Sequence, residues 1–331
     1  MPTPREAGDA RAAEVPLLSV VIACLDAGST LGVQLAALAG QRCPVPWELL
    51  ICDNGSTDDT LDVARSFAGR IPALRIVDAS AVRGAGAARN RGVQEARGCW
   101  LAFCDADDEV TPDWLATMSA ALAEHRFVAG RFEAHRLNGA RVLRSRPMEQ
   151  QAELQSSDFG PRLPHAGGGN LGIHREDFLA VGGFDPAVPW LEDTDLSWRA
   201  QLAGVPLVFR PEVVVHVRLR QTFREMYRQG RHYGMAHTVL QGRYGRADIA
   251  AGAAATAGAA PEPTTAPAPA PVAVRAALPE RVTGAVTWFL DHVVGGRLAW
   301  RVGWVVGHRS PHAREIARTL ADAPVIMDFS G

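Results

Sequence analysis

The run from Cys99 to Glu109, C-W-L-A-F-C-D-A-D-D-E, carries an apolar stretch straight into carboxylates, with Asp105 and Asp107 two residues apart. Carboxylates at the end of a strand suit a hard divalent cation, which takes one or two of them and completes its shell with phosphate and water. A solvated loop or a helix cap uses the same residue types, so the pair alone does not decide. A second acidic position, Asp53, closes the apolar run from Leu49 and opens Asn54-Gly55-Ser56-Thr57-Asp58. It reads either as an acceptor for a base or ribose donor or as an Asx-turn leading into a capped helix. The third candidate is R-G-A-G-A-A-R-N-R-G, from Arg83 to Gly92. Gly84 and Gly86 before a helix let backbone amides approach phosphate, with Arg83 and Arg89 nearby. The dinucleotide fingerprint fails there, because its third glycine is Arg89 and the motif follows the third strand instead of the first. The fourth is Glu192-Asp193 in W-L-E-D-T-D-L. Adjacent carboxylates at a helix start can take the proton of an attacking hydroxyl, or merely complement the helix dipole.

Positioning these groups takes a sheet. Short apolar runs at Leu17–Leu25, Trp47–Cys52, Leu74–Asp78 and Trp100–Cys104 alternate with helical patterns at Thr30–Gln41, Thr60–Arg70 and Gly86–Arg97. This rhythm predicts a mostly parallel sheet covered by helices on both faces, with ligands beyond the carboxyl ends of the strands. Asp53 and Asp105 fall at such ends. Further along, a helix is predicted at Trp114–His125 and two strands at Phe127–Leu143 around an Asn138-Gly139 turn. A strand at Leu171–His174 follows Gly167-Gly168-Gly169-Asn170, and a helix runs from the Glu192 motif to Leu202. Val205–Phe209 and Val213–Val217 are strand candidates split by Pro211. Gln221–Gln241 reads as a helix, with an arginine stripe at Arg220, Arg224, Arg228 and Arg231.

The chain has 331 residues, 47% of them hydrophobic, enough for a full core, and a net charge of -2 that offers no global field for nucleic acid. It contains no lysine, so all 34 basic residues are arginine, and Schiff-base, Walker-type and lysine-base chemistries drop out. The same absence removes the haloacid dehalogenase phosphatases, whose motif Asp105-Ala106-Asp107 resembles but whose chemistry needs a lysine. The five cysteines form no Cys-x-x-Cys pair and mostly sit in or beside apolar runs, as core residues in a reducing compartment do. The polar first residues lack the apolar stretch of a secretory leader, and no apolar run is long enough to span a membrane. A cytoplasmic setting is expected.

In order and spacing, several motifs together resemble glycosyltransferase family 2, inverting enzymes of the GT-A fold. They are the strand Ser19–Ala23, Asp53 to Asp58, Ala88-Arg89-Asn90-Arg91-Gly92, Asp105 to Asp108, Gly182-Gly183-Phe184-Asp185 and Glu192 to Leu196. The likeness spans residues 17–217 and departs where Ala23-Cys24-Leu25-Asp26 stands in place of a frequent Pro-Thr-Tyr-Asn. The resemblance implies a Rossmann-like mixed α/β sheet flanked by helices, a nucleotide-sugar donor and a divalent metal, Mn2+ or Mg2+. It implies Asp53 at the nucleobase, with Arg83, Gly84, Arg89 and Asp105 also on the donor. Asp107, with Asp105 and His216, would hold the metal. Asp193, in preference to Glu192, would be the base, and Gly169, Asn170 and Trp190 would lie on the acceptor side. An acceptor hydroxyl would then attack the anomeric carbon as Asp193 removes its proton, the metal would stabilise the leaving diphosphate, and configuration would invert. A non-catalytic nucleotide-sugar-binding module on the same fold is one alternative. A nucleotide-dependent oxidoreductase is another, against which the missing first-strand glycine fingerprint stands.

The expected organisation is a flexible N-terminus at 1–14, a GT-A domain at 15–220, an amphipathic helical extension at 221–249, an Ala/Pro-rich linker at 250–275 and a C-terminal helical segment at 276–331. The arginine stripe reads as a solvated face, or as a site for a phosphate-bearing or lipid-linked acceptor or for anionic headgroups. The Trp-rich C-terminal segment reads as a docking helix pair or an interfacial anchor. Expected partners are a nucleotide sugar and a hydroxyl-bearing acceptor, with peripheral membrane contact left open.

Overall fold

The computed structural model describes residues 15–71, 73–145, 150–245 and 296–321. The expected N-terminal segment, the linker at 250–275 and the flanks 276–295 and 322–331 lie outside the described residues. Four apolar runs form β1 (Leu18–Cys24), β2 (Trp47–Asp53), β3 (Leu74–Asp78) and β4 (Trp100–Cys104), paired in parallel in the order β3-β2-β1-β4. Helices α1 (Gly28–Ala39), α2 (Thr60–Ser66) and α3 (Ala85–Glu95) make the crossovers. Side chains alternate between the two faces of a strand, and here both faces are covered. Leu18, Val20, Ile22, Leu49 and Ile51 pack on the side of Leu31, Leu35 and Leu38 of α1. Val21, Leu50, Leu101 and Phe103 pack on the side of Ala88 and Val93 of α3. Each such buried aliphatic contributes about 1.5–3 kcal/mol, which is why these strands read as continuous apolar runs.

Beyond β4 the sheet changes direction. After β5 (Glu109–Val110) and α4 (Trp114–Glu124) come β6 (Phe127–Glu133), α5 (Ala140–Ser145), β7 (Asn170–His174), α6 (Arg175–Ala180), α7 (Glu192–Leu202) and β8 (Leu207–His216). β7 is antiparallel to β4 and β6 to β7, β8 is parallel to β6, and β5 is antiparallel to β8. The eight-stranded sheet is therefore mixed, and only its β3-β2-β1-β4 half is parallel throughout.

Two expectations fail. Asn138-Gly139 does not turn a hairpin, since α5 follows it: the Asn138 amide donates to the carbonyls of Ala134 and Val217, and the Gly139 carbonyl accepts from Val142 and Leu143. Pro211 does not split β8 either. It lies where the register against β6 jumps, Gly130 facing Arg210 and Arg131 facing Val214, so its missing N–H falls in a bulge.

Helix α8 (Phe223–Tyr244) opens with a capping box, in which Thr222 and Glu225 each accept the other's backbone N–H. Helices α9 (Gly296–His308) and α10 (Pro311–Ala321) pack along it, so the described part of the C-terminal segment docks on the domain's own helix. α8 and α9 cross at glycines. A Cβ on Gly230, Gly234, Gly303 or Gly307 would lie 1.8 to 2.1 Å from a backbone oxygen of the other helix. Only hydrogen at these positions lets the backbones approach so closely. The far end of α8 is tied down by a buried network. Arg243 Nη1 donates to Asp185 Oδ2 (2.6 Å) and Asp195 Oδ1 (3.1 Å), Tyr244 Oη donates to Asp195 Oδ1 (2.8 Å), and Arg199 Nε donates to Asp195 Oδ2 (2.7 Å). No described helix is long and apolar enough to cross a membrane.

Candidate functional site

The turn after β4 presents Asp105, Asp107 and Asp108, with one carboxylate oxygen from each lying within 4.8 Å of the others. Asp108, part of the Asp105 to Asp108 motif but not among the expected ligands, is the most buried of the three and accepts from the Arg218 backbone N–H. Burial, and then the neighbouring carboxylates, pushes the Asp107 and Asp108 carboxyls above the ordinary range. Counter-charge comes from the loop after β8, where Arg220 Nη1 stands 3.2 Å from Asp107 Oδ2 and Arg218 Nε donates to the Asp107 carbonyl. Gly169 passes beneath: a Cβ there would come within 2.6 Å of Asp105 Oδ2. An all-oxygen set of crowded carboxylates fits a hard divalent cation, whose charge would relieve the repulsion.

His216 does not join this group. Its Nδ1 lies 2.7 Å from Glu133 Oε2, and it pairs with Glu109 across β5 and β8. A second cluster, His174, Glu176 and Asp177, sits at the opposite end of the sheet, because His174 pairs with Trp100 whereas Asn170 pairs with Cys104. Its carboxylates are already paired with Arg126.

Leu191 caps α7 in the left-handed region, at φ 57°. That conformation costs a residue with a side chain about 1–2 kcal/mol. The next two residues are Glu192 and Asp193. Arg89, 4% exposed, joins them to the acid cluster, with Nη2 2.6 Å from Asp105 Oδ1 and Nη1 3.1 Å from Glu192 Oε1. Burial, with the adjacent Asp193, pushes the Glu192 carboxyl up to about 7. Asp193 accepts from the backbone N–H of Gly168 (2.7 Å) and of Thr194 (2.8 Å), and burial raises it as well.

Two cavities meet at these groups. The larger, of about 630 Å³, runs between the loop after β1, the start of α3 and the loop after β8. The smaller, of about 220 Å³, lies between the Gly167-Gly168-Gly169 loop and helices α8 and α9. Asp105, Asp107, Gly168, Asp193, Arg218 and Arg220 line both.

Of the residues expected on the donor, Arg89 and Asp105 line the larger groove, whereas Asp53, Arg83 and Gly84 line neither cavity. The Asp53 carboxylate instead accepts from the Gly55 and Ser56 amides. Asn54, which sequence reasoning missed, holds the next loop: its amide donates to the carbonyls of Ala79 and Val82, its Oδ1 accepts from Gly84 N, and its backbone carbonyl accepts from Arg83 Nη1. Asn54 follows a strand-closing acid directly, which is a signal for such a turn. On the acceptor side, Gly169 lines the smaller cavity and Trp190 the larger, where Trp190 stacks on His232 with centroids 4.3 Å apart. Asn170 is fully buried, accepting from Trp114 Nε1 and donating to the carbonyls of Arg131 and Val213, so it braces strands and does not face the cavity.

A relative from Mycobacterium bovis, "PGL/p-HBAD biosynthesis glycosyltransferase", is 39% identical over 111 residues, which are 33% of this chain and 43% of that protein. This chain thus spans less than half of the length of that relative. Validoxylamine A glucosyltransferase from Streptomyces hygroscopicus is 29% identical over 229 residues, covering 60% of this chain and 51% of that protein. Among solved structures, the mannosyltransferase PcManGT from Pyrobaculum calidifontis, in complex with GDP-Man and Mn2+, superposes with a TM-score of 0.54 at 20% identity, covering 92% of this chain and 87% of that one. The fold is shared. Residues 19–182, from β1 to the turn after α6, match the model of glycosyl transferase family 2, and it is this stretch that belongs to the family.

Proposed function

We propose that the chain is a metal-dependent inverting glycosyltransferase that moves a sugar from a nucleoside-diphosphate sugar to an acceptor hydroxyl. One observation carries the reading: a groove and a smaller cavity meet at a single set of carboxylates, Asp105, Asp107 and Asp193. The groove's volume, about 630 Å³, lies within the roughly 300–1,000 Å³ of small-molecule sites. The Pyrobaculum neighbour's GDP-Man and Mn2+ support a nucleotide-sugar donor and a divalent ion here too.

Asp105, Asp107 and Asp108 would hold the ion. When bound it supplies Lewis-acid stabilisation of the departing diphosphate. Arg218 and Arg220 line the groove beside these acids and add fixed positive charge along the same path. Asp193 removes the proton of the acceptor hydroxyl as that oxygen attacks the anomeric carbon from the face opposite the diphosphate. The amides of Gly168 and Thr194 keep the Asp193 carboxylate aimed, and the Arg89–Glu192 pair fixes the first turn of α7. Arg224, Arg228 and Arg231, at helical spacing on α8, are exposed and make a basic face on a chain of net charge -2, and Arg297 and Arg301 of α9 are exposed as well. Such a face suits the phosphate of a lipid-linked acceptor or an anionic membrane surface.

Screening UDP-, GDP- and dTDP-sugars for hydrolysis that depends on Mn2+ or Mg2+ tests the reading. Activity lost in Asp107→Asn and in Asp193→Asn is the expected result, and normal turnover in either removes that residue's role. A wild-type protein that binds a nucleotide sugar but turns over none of them is a binding module.

A further inference from the structure

We propose that the smaller cavity is an acceptor subsite for a single pyranose ring, and that α9, which lies outside the family-matched residues, selects the ring. The inference rests on the glycosyltransferase reading above and adds the acceptor's chemistry to it. α9 reaches the site because the glycine crossing removes any side-chain spacer between it and α8. Gly296 and Trp300 of α9 then line the same cavity as Met226 and Tyr233 of α8. The rings of Tyr233 and Trp300 stand 6.2 Å apart at 83°, so one presents a face where the other presents an edge. Together they form an aromatic corner.

The rest of the lining supplies a polar wall. His165 Nδ1 lies 3.3 Å from Thr194 Oγ1 and His165 Nε2 lies 3.0 Å from Ser157 Oγ, while burial keeps that imidazole neutral, with its pKa lowered to about 4. Gln155 and Gln229 add amides, and Asp193 lies where this cavity opens into the groove. A hydroxyl held at Asp193 therefore leaves the rest of its ring between the aromatic corner and the polar wall. The volume, about 220 Å³, falls short of the roughly 300–1,000 Å³ of drug-sized sites, so the cavity itself holds one ring. A pyranose carries this same division, with an apolar C–H face that stacks on an aromatic ring and hydroxyls at its rim that exchange hydrogen bonds with side-chain amides and hydroxyls. A simple phenol, with its one hydroxyl at Asp193, has nothing left to offer the polar wall.

The test uses the full chain with a panel of methyl glycopyranosides. Binding is read by saturation-transfer NMR, and transfer is read with the donor found in the hydrolysis screen. In Trp300→Ala the KM for the preferred glycoside is expected to rise about tenfold, with the KM for the donor within about twofold, and the saturation-transfer signal is expected to vanish. Trp300→Phe keeps most of the binding, and Leu298→Ala, on the exposed side of α9, changes neither readout. The proposal is overturned if no methyl glycopyranoside binds the wild type. It is overturned also if Trp300→Ala leaves the glycoside KM unchanged or raises the donor KM equally, or if simple phenols bind in place of glycosides. Glycoside binding that depends on Trp300, in a protein that hydrolyses no nucleotide sugar, leaves the subsite standing and removes the transferase reading.

Discussion

Asp107 and Asp195 both belong to acidic runs in the sequence, yet the structure treats them in opposite ways. Asp195 is fully buried and is met by Arg199, Arg243 and Tyr244, while Asp185 completes the set as the second partner of Arg243. Two arginines and two aspartates cancel. Asp107 shares its turn with Asp105 and Asp108 inside 4.8 Å, and with Glu192 and Asp193 the site gathers five carboxylates against three guanidiniums: Arg220 at 3.2 Å from Asp107, Arg218 on the Asp107 carbonyl, and Arg89 at 2.6 Å from Asp105 and shared with Glu192. The first region is complete as it stands. The second has more negative charge than the chain neutralises, and that surplus gives it a reason to receive a cation. Acidic density does not separate the two, but the count of counter-charges does.

The largest expected effect breaks the contrast at the open region. Asp193→Asn and Asp107→Asn should each lower the transfer rate by about 10²–10⁴-fold. In metal-free protein, urea unfolding of Asp107→Asn should show stability unchanged or raised, because one crowded charge is gone. Next comes the closed region. Asp195→Asn or Arg243→Met leaves a partner charge buried alone and should cost about 3–5 kcal/mol in the same urea experiment. A loss no larger than that of a surface substitution would show that the quartet does not hold α8.

A smaller effect concerns pH. The general base must be deprotonated, so activity is present above the raised carboxyl range and lost as pH falls through it. The acid limb of kcat/KM should lie above the ordinary carboxylate range and not near 4, because burial raises Asp193 and pushes its neighbour Glu192 up to about 7. The limb belongs to the Glu192–Asp193 pair, and Glu192→Gln, which removes a neighbouring negative charge, should move it to lower pH. An acid limb near 4 in the wild type would mean that neither carboxylate acts from its buried position. The smallest effect sharpens the comparison itself. Arg220→Ala removes the guanidinium at Asp107, and Mn2+ affinity measured by electron paramagnetic resonance should rise about threefold. Unchanged affinity would show that Arg220 does not compete for the carboxylate.

How much of this was legible depended on distance along the chain. β1 to β4 could be read because two-sided burial turns each strand into an unbroken apolar run, and Asp105 could be placed because it directly follows one. The reversal after β4 could not, since nothing local in Phe127 to Glu133 or Asn170 to His174 records which neighbour each strand will choose. Asp185 and Asp195 sat inside motifs that looked chemical, and their partners, Arg199 and Arg243, are structural cations whose role appears only when α8 folds back onto α7. Asn170 was misleading for the same reason: a polar residue in a glycine-rich loop suggests a ligand contact, but its three hydrogen bonds go to Trp114, Arg131 and Val213. The smaller cavity was invisible, because its walls come from segments as far apart as Phe132, His165, Tyr233 and Trp300.

The glycine crossing of α8 and α9 has a bearing on how such a protein can diversify. With backbone against backbone at Gly230, Gly234, Gly303 and Gly307, a single added methyl acts as a wedge, and the whole of α9 must slide or tilt to accept it. Trp300 would travel with the helix. The shape of the cavity can therefore drift without any change in the residues that line it, through the spacing of two rods whose contact lies away from the reacting carboxylates.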